Sequence, residues 1–193
     1  MQRHTQDDLI AFLRAVDRFL EQRYPLVIIG GAAASLAYDD RSARTTTDVD
    51  SANPLSEEFQ QAMRRAAEAT GLNVPIEYHG VYDGPYEWEQ RLYSPEHLQF
   101  PKIKISVPER HDLALMKVIR GEEHDIQTVV DMHKHQALDL QVLMERFQTE
   151  MTHVTGNMAM IHLNFIGLVE ALFGEEAATR ADKQTQNWGK HQT

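Results

Sequence analysis

The sequence of 193 residues contains no cysteine. This absence excludes disulfide bonds, zinc sites built on thiolates and cysteine nucleophiles, and it fits a reducing compartment. Any bound metal must therefore take oxygen or imidazole ligands.

Long apolar runs are lacking as well. The longest, Leu26 to Ala37, has about half of the roughly 20 residues that a membrane-spanning helix requires, and two glycines interrupt it. The first twenty residues carry charges throughout and contain no apolar segment of the kind found in signal peptides. We therefore expect a cytoplasmic protein with no membrane segment.

Positive charge is scarce: the sequence has 19 lysines and arginines and 29 aspartates and glutamates, which gives a net charge of -10. A negative surface repels polyphosphate backbones, so non-specific binding to nucleic acid is disfavoured. The proportions of hydrophobic residues (42%) and charged residues (25%) are those of an average soluble protein. They predict a globular fold with a packed core.

The apolar pattern predicts the element order α-β-α-β-α-β-β, followed by helices. An amphipathic helix precedes the run 26–29, which is typical of a strand buried on both faces. Four helices are expected after Pro108. We predict an α+β core over residues 1–107, a helical region over 108–178 packed on that core, and a flexible polar tail over 179–193.

Two short motifs carry the chemistry. Gly30 and Gly31 join the buried strand to a helix, where glycines let the backbone approach a phosphate and the free N–H groups of the helix point at it. Asp48 and Asp50 follow on the next predicted strand, and a period of two places both carboxylates on one face. Such a pair can bind Mg²⁺ or Mn²⁺ together with a substrate phosphate. Each motif alone is common in unrelated proteins, but the two in this order favour a site for a metal-bound nucleoside triphosphate.

With Arg44-Thr45-Thr46-Thr47 between them, these motifs resemble the nucleotidyltransferase signature of the DNA polymerase β-type superfamily. More narrowly, the chain resembles small bacterial nucleotidyltransferase-like proteins of uncharacterised function that are related to the AbiEii-type toxins of toxin–antitoxin systems. The resemblance implies a mixed sheet flanked by helices, with a C-terminal helical region. It implies that the metal ligands are Asp48 and Asp50, and that the nucleotide is bound by Gly30, Gly31, Arg44 and Thr47.

A second block, Pro108 to Lys117 and Arg120 to Asp125, resembles a later part of the same family. The resemblance implies that Lys117 neutralises phosphate charge and that Asp125 adds an acidic group to the catalytic site. The alternative is that both residues lie on an ordinary exposed helix surface.

The sequence departs from the superfamily at the third carboxylate, which active members usually place on a strand beyond the aspartate pair. The alternating segment 102–107 offers Lys104 and Ser106 on the corresponding face. Glu77 and Asp83, in the preceding segment, are the other candidates, and the sequence does not fix their register.

Two functions remain open at this point. The first is a metal-dependent transferase that moves a nucleoside monophosphate from a nucleoside triphosphate to an acceptor hydroxyl on a protein, a transfer RNA end or a small molecule, in a toxin–antitoxin or defence setting. The second is an inactive nucleotidyltransferase-like subunit that acts as an antitoxin or regulator, binding a protein partner or a second copy of itself through the helical region.

A distant third interpretation, a phosphohydrolase of the HD type, rests on a set of histidines and aspartates in the helical region. A helix scatters these positions around its circumference, which opposes a common metal site. The set comprises His124, Asp125, Asp131, His133 and His135.

Overall fold

The computed structural model describes residues 3–38, 47–80 and 83–189. The chain forms two compact units, each with its own set of elements. Unit 1 contains Met1–Tyr82 and Leu92–Pro108, and unit 2 contains Asp83–Arg91 and Glu109–Thr193.

Unit 1 is built on a four-stranded sheet with the strand order β3-β2-β1-β4. Strand β1 is antiparallel to β2 and parallel to β4, and β2 is parallel to β3, so the predicted mixed sheet of an α+β fold is confirmed. The predicted element order is confirmed too. The elements of unit 1 are α1 (Gln6–Phe19), β1 (Tyr24–Ile29), α2 (Gly30–Tyr38), β2 (Val49–Ser51), α3 (Glu57–Thr70), β3 (Ile76–Tyr78) and β4 (Ile103–Ser106).

Capping residues set the bounds of the two helices α1 and α3, which pack against each other. Thr5 and Asp8 form a capping box at the start of α1. The Ser56 hydroxyl accepts a hydrogen bond from the Phe59 backbone at the start of α3, and Gly71 ends that helix with a φ of 70°. Both helices are amphipathic, and their apolar faces supply part of the core of unit 1.

The strand β4 lies beside β1, and a buried carboxylate holds its beginning. Asp17 Oδ1 accepts hydrogen bonds of 2.7 Å from the backbone N–H groups of both Lys102 and Ile103. Because β1 separates β4 from β2, the side chains of β4 are not on a strand adjacent to the aspartate pair.

Unit 2 is helical in the residues that the structure describes, apart from short turns. Its apolar core includes Phe147 and Phe165, whose rings stack with centroids 3.8 Å apart. The four helices expected after Pro108 are confirmed, and a fifth follows them. They are α4 (Arg110–Arg120), α5 (Glu123–His135), α6 (Leu140–Glu150), α7 (Met158–Phe173) and α8 (Glu175–Thr185).

The segment 83–91 joins unit 2, although we expected the whole of 1–107 to form one core. The Arg91 guanidinium binds both oxygens of Asp112 at 2.9 Å, and the Tyr86 N–H donates to the Glu150 carbonyl at 2.8 Å. These partners lie 21 and 64 positions away, and no local pattern in the sequence reports pairings of that kind.

The expected polar tail differs from the structure over residues 179–189. Helix α8 extends to Thr185 and packs on α7 through Ala177, Ala178 and Ala181, which are buried. Trp188 packs against the core of unit 2. The segment is polar and nearly free of aliphatic residues, and for that reason its composition predicts a tail. Residues 190–193 lie outside the described residues.

Among the described residues, none of the helices has both the length and the apolar character required to cross a membrane.

Candidate functional site

The turn between β1 and α2 depends on Gly30 for two reasons. Its φ is 69°, in the left-handed region that other residues rarely adopt. A Cβ at this position would also lie 2.7 Å from Asp50 Oδ2, which is closer than real Cβ contacts allow. Gly30 therefore lets the carboxylate of Asp50 lie directly against the backbone at the start of α2.

Gly31 has a different environment. Among the described residues, no atom lies within 4 Å of a Cβ placed on Gly31, so packing does not require a glycine here. The open space is next to the first turn of α2, where the backbone N–H groups of a helix have no intrahelical acceptors. An anion can approach such groups closely.

Asp48 and Asp50 flank a buried residue. Val49 is fully buried, whereas both aspartates are half-buried, which is the alternation expected if the two carboxylates share one face of the chain. Thr47 donates a hydrogen bond of 3.3 Å from its hydroxyl to Asp48 Oδ1. Thr47, Asp48 and Asp50 therefore belong to one short segment, of which Asp50 lies against the glycine turn at Gly30.

The sheet register brings a third carboxylate to this face. Glu77 on β3 is the Cα partner of Asp50 on β2, so the two side chains leave the sheet on the same side. Glu77 is exposed. Lys104 and Ser106, on β4, lie beyond β1. Asp83 belongs to unit 2, where its Oδ2 accepts a hydrogen bond from the Thr155 hydroxyl.

A histidine that we did not predict contacts the same aspartate. His79 Nε2 lies 2.8 Å from Asp50 Oδ1, and the two side chains are 49% and 33% exposed. His79 follows Glu77 at the period-two spacing of a strand. The pattern Glu-x-His was therefore visible in the sequence, but only the pairing of β3 with β2 shows that it faces Asp50.

Lys117 and Asp125 lie in unit 2, where they pair with each other. Lys117 Nζ is 2.8 Å from Asp125 Oδ1, and Arg120 donates to both carboxylate oxygens at 2.6 and 2.8 Å. Asp125 is fully buried and Lys117 nearly so, which excludes an ordinary exposed helix surface for both. Burial raises the pKa of Asp125, but the hydrogen bonds from Arg120 and Lys117 outweigh it and lower the pKa to about 2.

One group of three possible metal ligands has its ligand atoms within 4.8 Å of one another among the described residues. It consists of Glu122, His124 and Asp125 at the start of α5, and it omits the rest of the predicted histidine set. Lys117 and Arg120 already neutralise Asp125 there. Two cations in contact with the shared carboxylate oppose the binding of a third, which argues against a phosphohydrolase site.

Arg44 lies outside the described residues, so its contact with phosphate stays a prediction. The remaining predicted nucleotide and metal ligands lie in unit 1, around the start of α2 and the strand β2. The predicted pair in the helical region is part of unit 2.

No curated protein and no solved structure gave a significant match to the chain. The model of one protein family does match, over residues 8–165, a range that includes every site residue discussed above. The chain belongs to that family, which is described as a nucleotidyltransferase of unknown function (DUF6036).

Proposed function

We propose that this nucleotidyltransferase depends on a divalent metal and transfers a nucleoside monophosphate from a nucleoside triphosphate to an acceptor hydroxyl. The observation that carries the proposal is the register of β2 with β3, which sets Glu77 beside Asp50 at the glycine turn. Asp50 and Glu77 then share one face of two adjacent strands, Asp48 directly precedes β2, and Asp50 adjoins the start of α2, where there is open space beside Gly31.

Asp48, Asp50 and Glu77 would hold the metal. Carboxylate oxygens are the ligands that Mg²⁺ and Mn²⁺ prefer, and none of these three side chains is fully buried, so water and phosphate can take further positions on the ion. When bound, a divalent ion supplies positive charge that stabilises the reacting phosphate and the departing pyrophosphate.

The glycine turn would bind the triphosphate. The N–H groups of the first turn of α2 donate to phosphate oxygens, and the space beside Gly31 admits them. Arg44 and Thr47 are the further proposed contacts, through a guanidinium and a hydroxyl that both donate to phosphate. These groups orient the α-phosphate toward the acceptor, and positioning of this kind supplies much of the catalysis in phosphoryl-type transfer.

The proposed reaction forms a bond between the acceptor oxygen and the α-phosphorus, and it breaks the bond between that phosphorus and the bridging oxygen of the β-phosphate. Pyrophosphate leaves with the electron pair of the broken bond. Glu77, as the exposed carboxylate of the three, accepts the proton of the acceptor hydroxyl.

Asp125 has a different proposed role from the one that the resemblance implied. Its two oxygens already accept hydrogen bonds from Lys117 and Arg120, so we assign it as a positioning residue for these two cations. Phosphate binding by Lys117 stays a prediction, which loss of triphosphate affinity in Lys117→Met would support.

An inactive subunit that binds a protein partner is the second candidate. Met160 and Leu163, one turn apart on α7, are 49% and 60% exposed, and such apolar side chains on one helix face are typical of contact surfaces. This candidate predicts a stable complex or a dimer, together with an absence of nucleotide binding.

Calorimetric titration separates the two candidates. ATP, GTP, CTP and UTP are titrated with Mg²⁺ or Mn²⁺ into the wild type, Asp50→Asn and Glu68→Gln. Glu68 is an exposed carboxylate on α3 and serves as the matched control. Binding of at least one nucleotide that Asp50→Asn abolishes and Glu68→Gln retains supports the enzyme.

If none of the four nucleotides binds the folded wild type with either metal, the transferase proposal is wrong. If a nucleotide does bind, pyrophosphate release is measured with three candidate acceptors: bulk transfer RNA, a protein extract and a pool of small molecules. The acceptor that stimulates the release identifies the acceptor class.

A further inference from the structure

His79 is held at a defined place beside the carboxylates of unit 1. Its backbone N–H donates to the Ser51 carbonyl at 2.9 Å, which continues the β2–β3 pairing by one residue beyond Tyr78. Its Nε2 lies 2.8 Å from Asp50 Oδ1. The position of the imidazole is therefore fixed both by the sheet and by the carboxylate it contacts.

The spacing of these two atoms is that of a hydrogen bond, and it is also compatible with a shared ion. Two ligand atoms at right angles on an octahedral ion, each about 2.1 Å from it, lie about 3 Å apart. The separation of Nε2 from Asp50 Oδ1 is close to that value. Glu77 on β3 and His79, one residue beyond the strand, are two positions apart in extended chain and so point to the same face, with ligand atoms of different chemistry.

We propose that His79 is a nitrogen ligand of the divalent metal and gives the site a preference for a transition ion such as Mn²⁺ over Mg²⁺. This inference rests on the proposed function, because it assumes that the metal binds at Asp50. Mg²⁺ takes oxygen ligands almost exclusively, whereas transition ions accept imidazole readily, with affinities that rise along the first row.

A competing explanation is that His79 only hydrogen-bonds Asp50 and orients it. Both explanations predict weaker metal binding when His79 is replaced, so affinity alone does not separate them. The decisive quantity is the magnetic coupling between bound Mn²⁺ and an imidazole nitrogen, which is strong only for a nitrogen that is itself a ligand.

The test uses the full chain and Mn²⁺ alone. Electron spin echo envelope modulation of the bound Mn²⁺ reports ¹⁴N coupling, and the signal of free Mn²⁺ gives its Kd. The wild type is expected to show the coupling. His79→Gln retains an amide that can donate to Asp50 but is expected to lose the coupling and to raise the Kd for Mn²⁺ roughly 10-fold. The Kd for Mg²⁺, measured by competition, is expected to change far less.

His124→Gln is the matched control, because His124 belongs to the Glu122, His124 and Asp125 group at the start of α5. This variant is expected to retain the coupling and the Mn²⁺ affinity of the wild type. Loss of the coupling in His124→Gln instead of His79→Gln would overturn the proposal. Far-UV circular dichroism and thermal unfolding check the fold of each variant. If His79→Gln does not fold, His79→Asn is used in its place.

Asp50→Asn distinguishes the failure of this inference from the failure of the proposed function. If Mn²⁺ binds without nitrogen coupling and Asp50→Asn abolishes the binding, His79 is not a ligand but the metal site stands. If the wild type binds no Mn²⁺, or if Asp50→Asn binds it unchanged, both proposals are wrong.

Discussion

Two pairs of aspartates, one pair in each unit, differ in their surroundings. In unit 2, Asp112 and Asp125 are fully buried, and each contacts two cationic side chains within 3 Å. In unit 1, Asp48 and Asp50 are half-buried, and Asp50 lies against a glycine and a histidine. A buried carboxylate needs fixed partners in the fold, whereas a carboxylate proposed to bind a ligand needs access to solvent. Burial between two cationic side chains therefore distinguishes Asp112 and Asp125 from the half-buried Asp48 and Asp50.

The largest expected effect tests the structural half of this comparison. Asp112 binds Arg91 and Arg146, so Asp112→Ala leaves both guanidinium groups without their common buried partner. We expect a loss of about 3–5 kcal/mol in the free energy of unfolding, measured with urea at pH 7.

Asp182→Ala provides the comparison, because its side chain is 60% exposed. It is expected to change stability by no more than about 0.5 kcal/mol. Equal losses in the two variants would show that burial with two cations does not distinguish Asp112.

Acid titration tests the same contrast at Asp125. Its pKa is depressed from 3.8 to about 2 in the folded protein, so the stabilisation it provides is complete above the unfolded value and is lost as the pH falls through the folded value. The lowered pKa of Asp125 corresponds to about 2 kcal/mol in the free energy of unfolding. Between about pH 5 and pH 2, the wild type should lose this amount of stability relative to Asp125→Asn.

The measurement is urea unfolding of both proteins at several pH values across that window. Glu109 also has a pKa of about 2, because hydrogen bonds from His111 and Arg146 outweigh the effect of burial, and it titrates in both proteins. The contribution of Glu109 therefore cancels when the free energies of unfolding of the two proteins are subtracted. A difference in stability that stays constant with pH would contradict the depressed pKa of Asp125.

Gly30 connects the fold of unit 1 to its site, and its replacement should affect both. In Gly30→Ala the new Cβ meets Asp50 Oδ2 and the residue must keep a φ of 69°, which together are expected to cost about 1–2 kcal/mol. Displacement of Asp50 should also weaken Mn²⁺ binding. Gly31→Ala has open space for its Cβ and is expected to leave stability nearly unchanged while it reduces triphosphate affinity. Urea unfolding measures the change in stability, and calorimetry measures the change in ligand affinity. Identical behaviour of Gly30→Ala and Gly31→Ala would refute the different roles assigned to the two glycines.

The smallest effect on stability is expected at Glu77. This side chain is exposed, so Glu77→Gln should change the free energy of unfolding by less than about 0.5 kcal/mol. As a proposed metal ligand it should nevertheless weaken Mn²⁺ binding by roughly 10-fold or more, with Glu68→Gln as the unaffected control. Unchanged Mn²⁺ affinity in Glu77→Gln would remove Glu77 from the site and reopen the question of the third carboxylate.

The sequence predicted those features that depend on neighbouring residues. The buried strand before Gly30, the carboxylates on both sides of Val49 and the caps at Ser56 and Gly71 all follow from spacing and local conformational preference. The resemblance to a known family predicted a mixed sheet. It did not predict which strands pair or in which register, and the structure supplied both.

The features that it did not predict depend on pairing between distant segments. Glu77 and His79 belong to the site only because β3 lies parallel to β2 in one register, and a shift of one residue would turn both away. Arg91 joins unit 2 through a partner 21 positions away. The resemblance implied that Asp125 is an acidic group of the site, and the sequence does not reveal that two cations already occupy its oxygens.

The position of β3 in the sheet has an evolutionary consequence. In the described sheet, β1 and β2 each have two neighbouring strands, whereas β3 pairs with β2 alone. Substitutions on such a strand disturb fewer contacts, so selection can change its outward residues at little risk to folding. Asp50, where we expect the triphosphate and the metal to meet, lies on the inner strand β2 and against Gly30. Glu77 on the edge strand β3, and His79 directly after it, would choose the metal, and a new metal preference could therefore arise in a family like this one without a new fold.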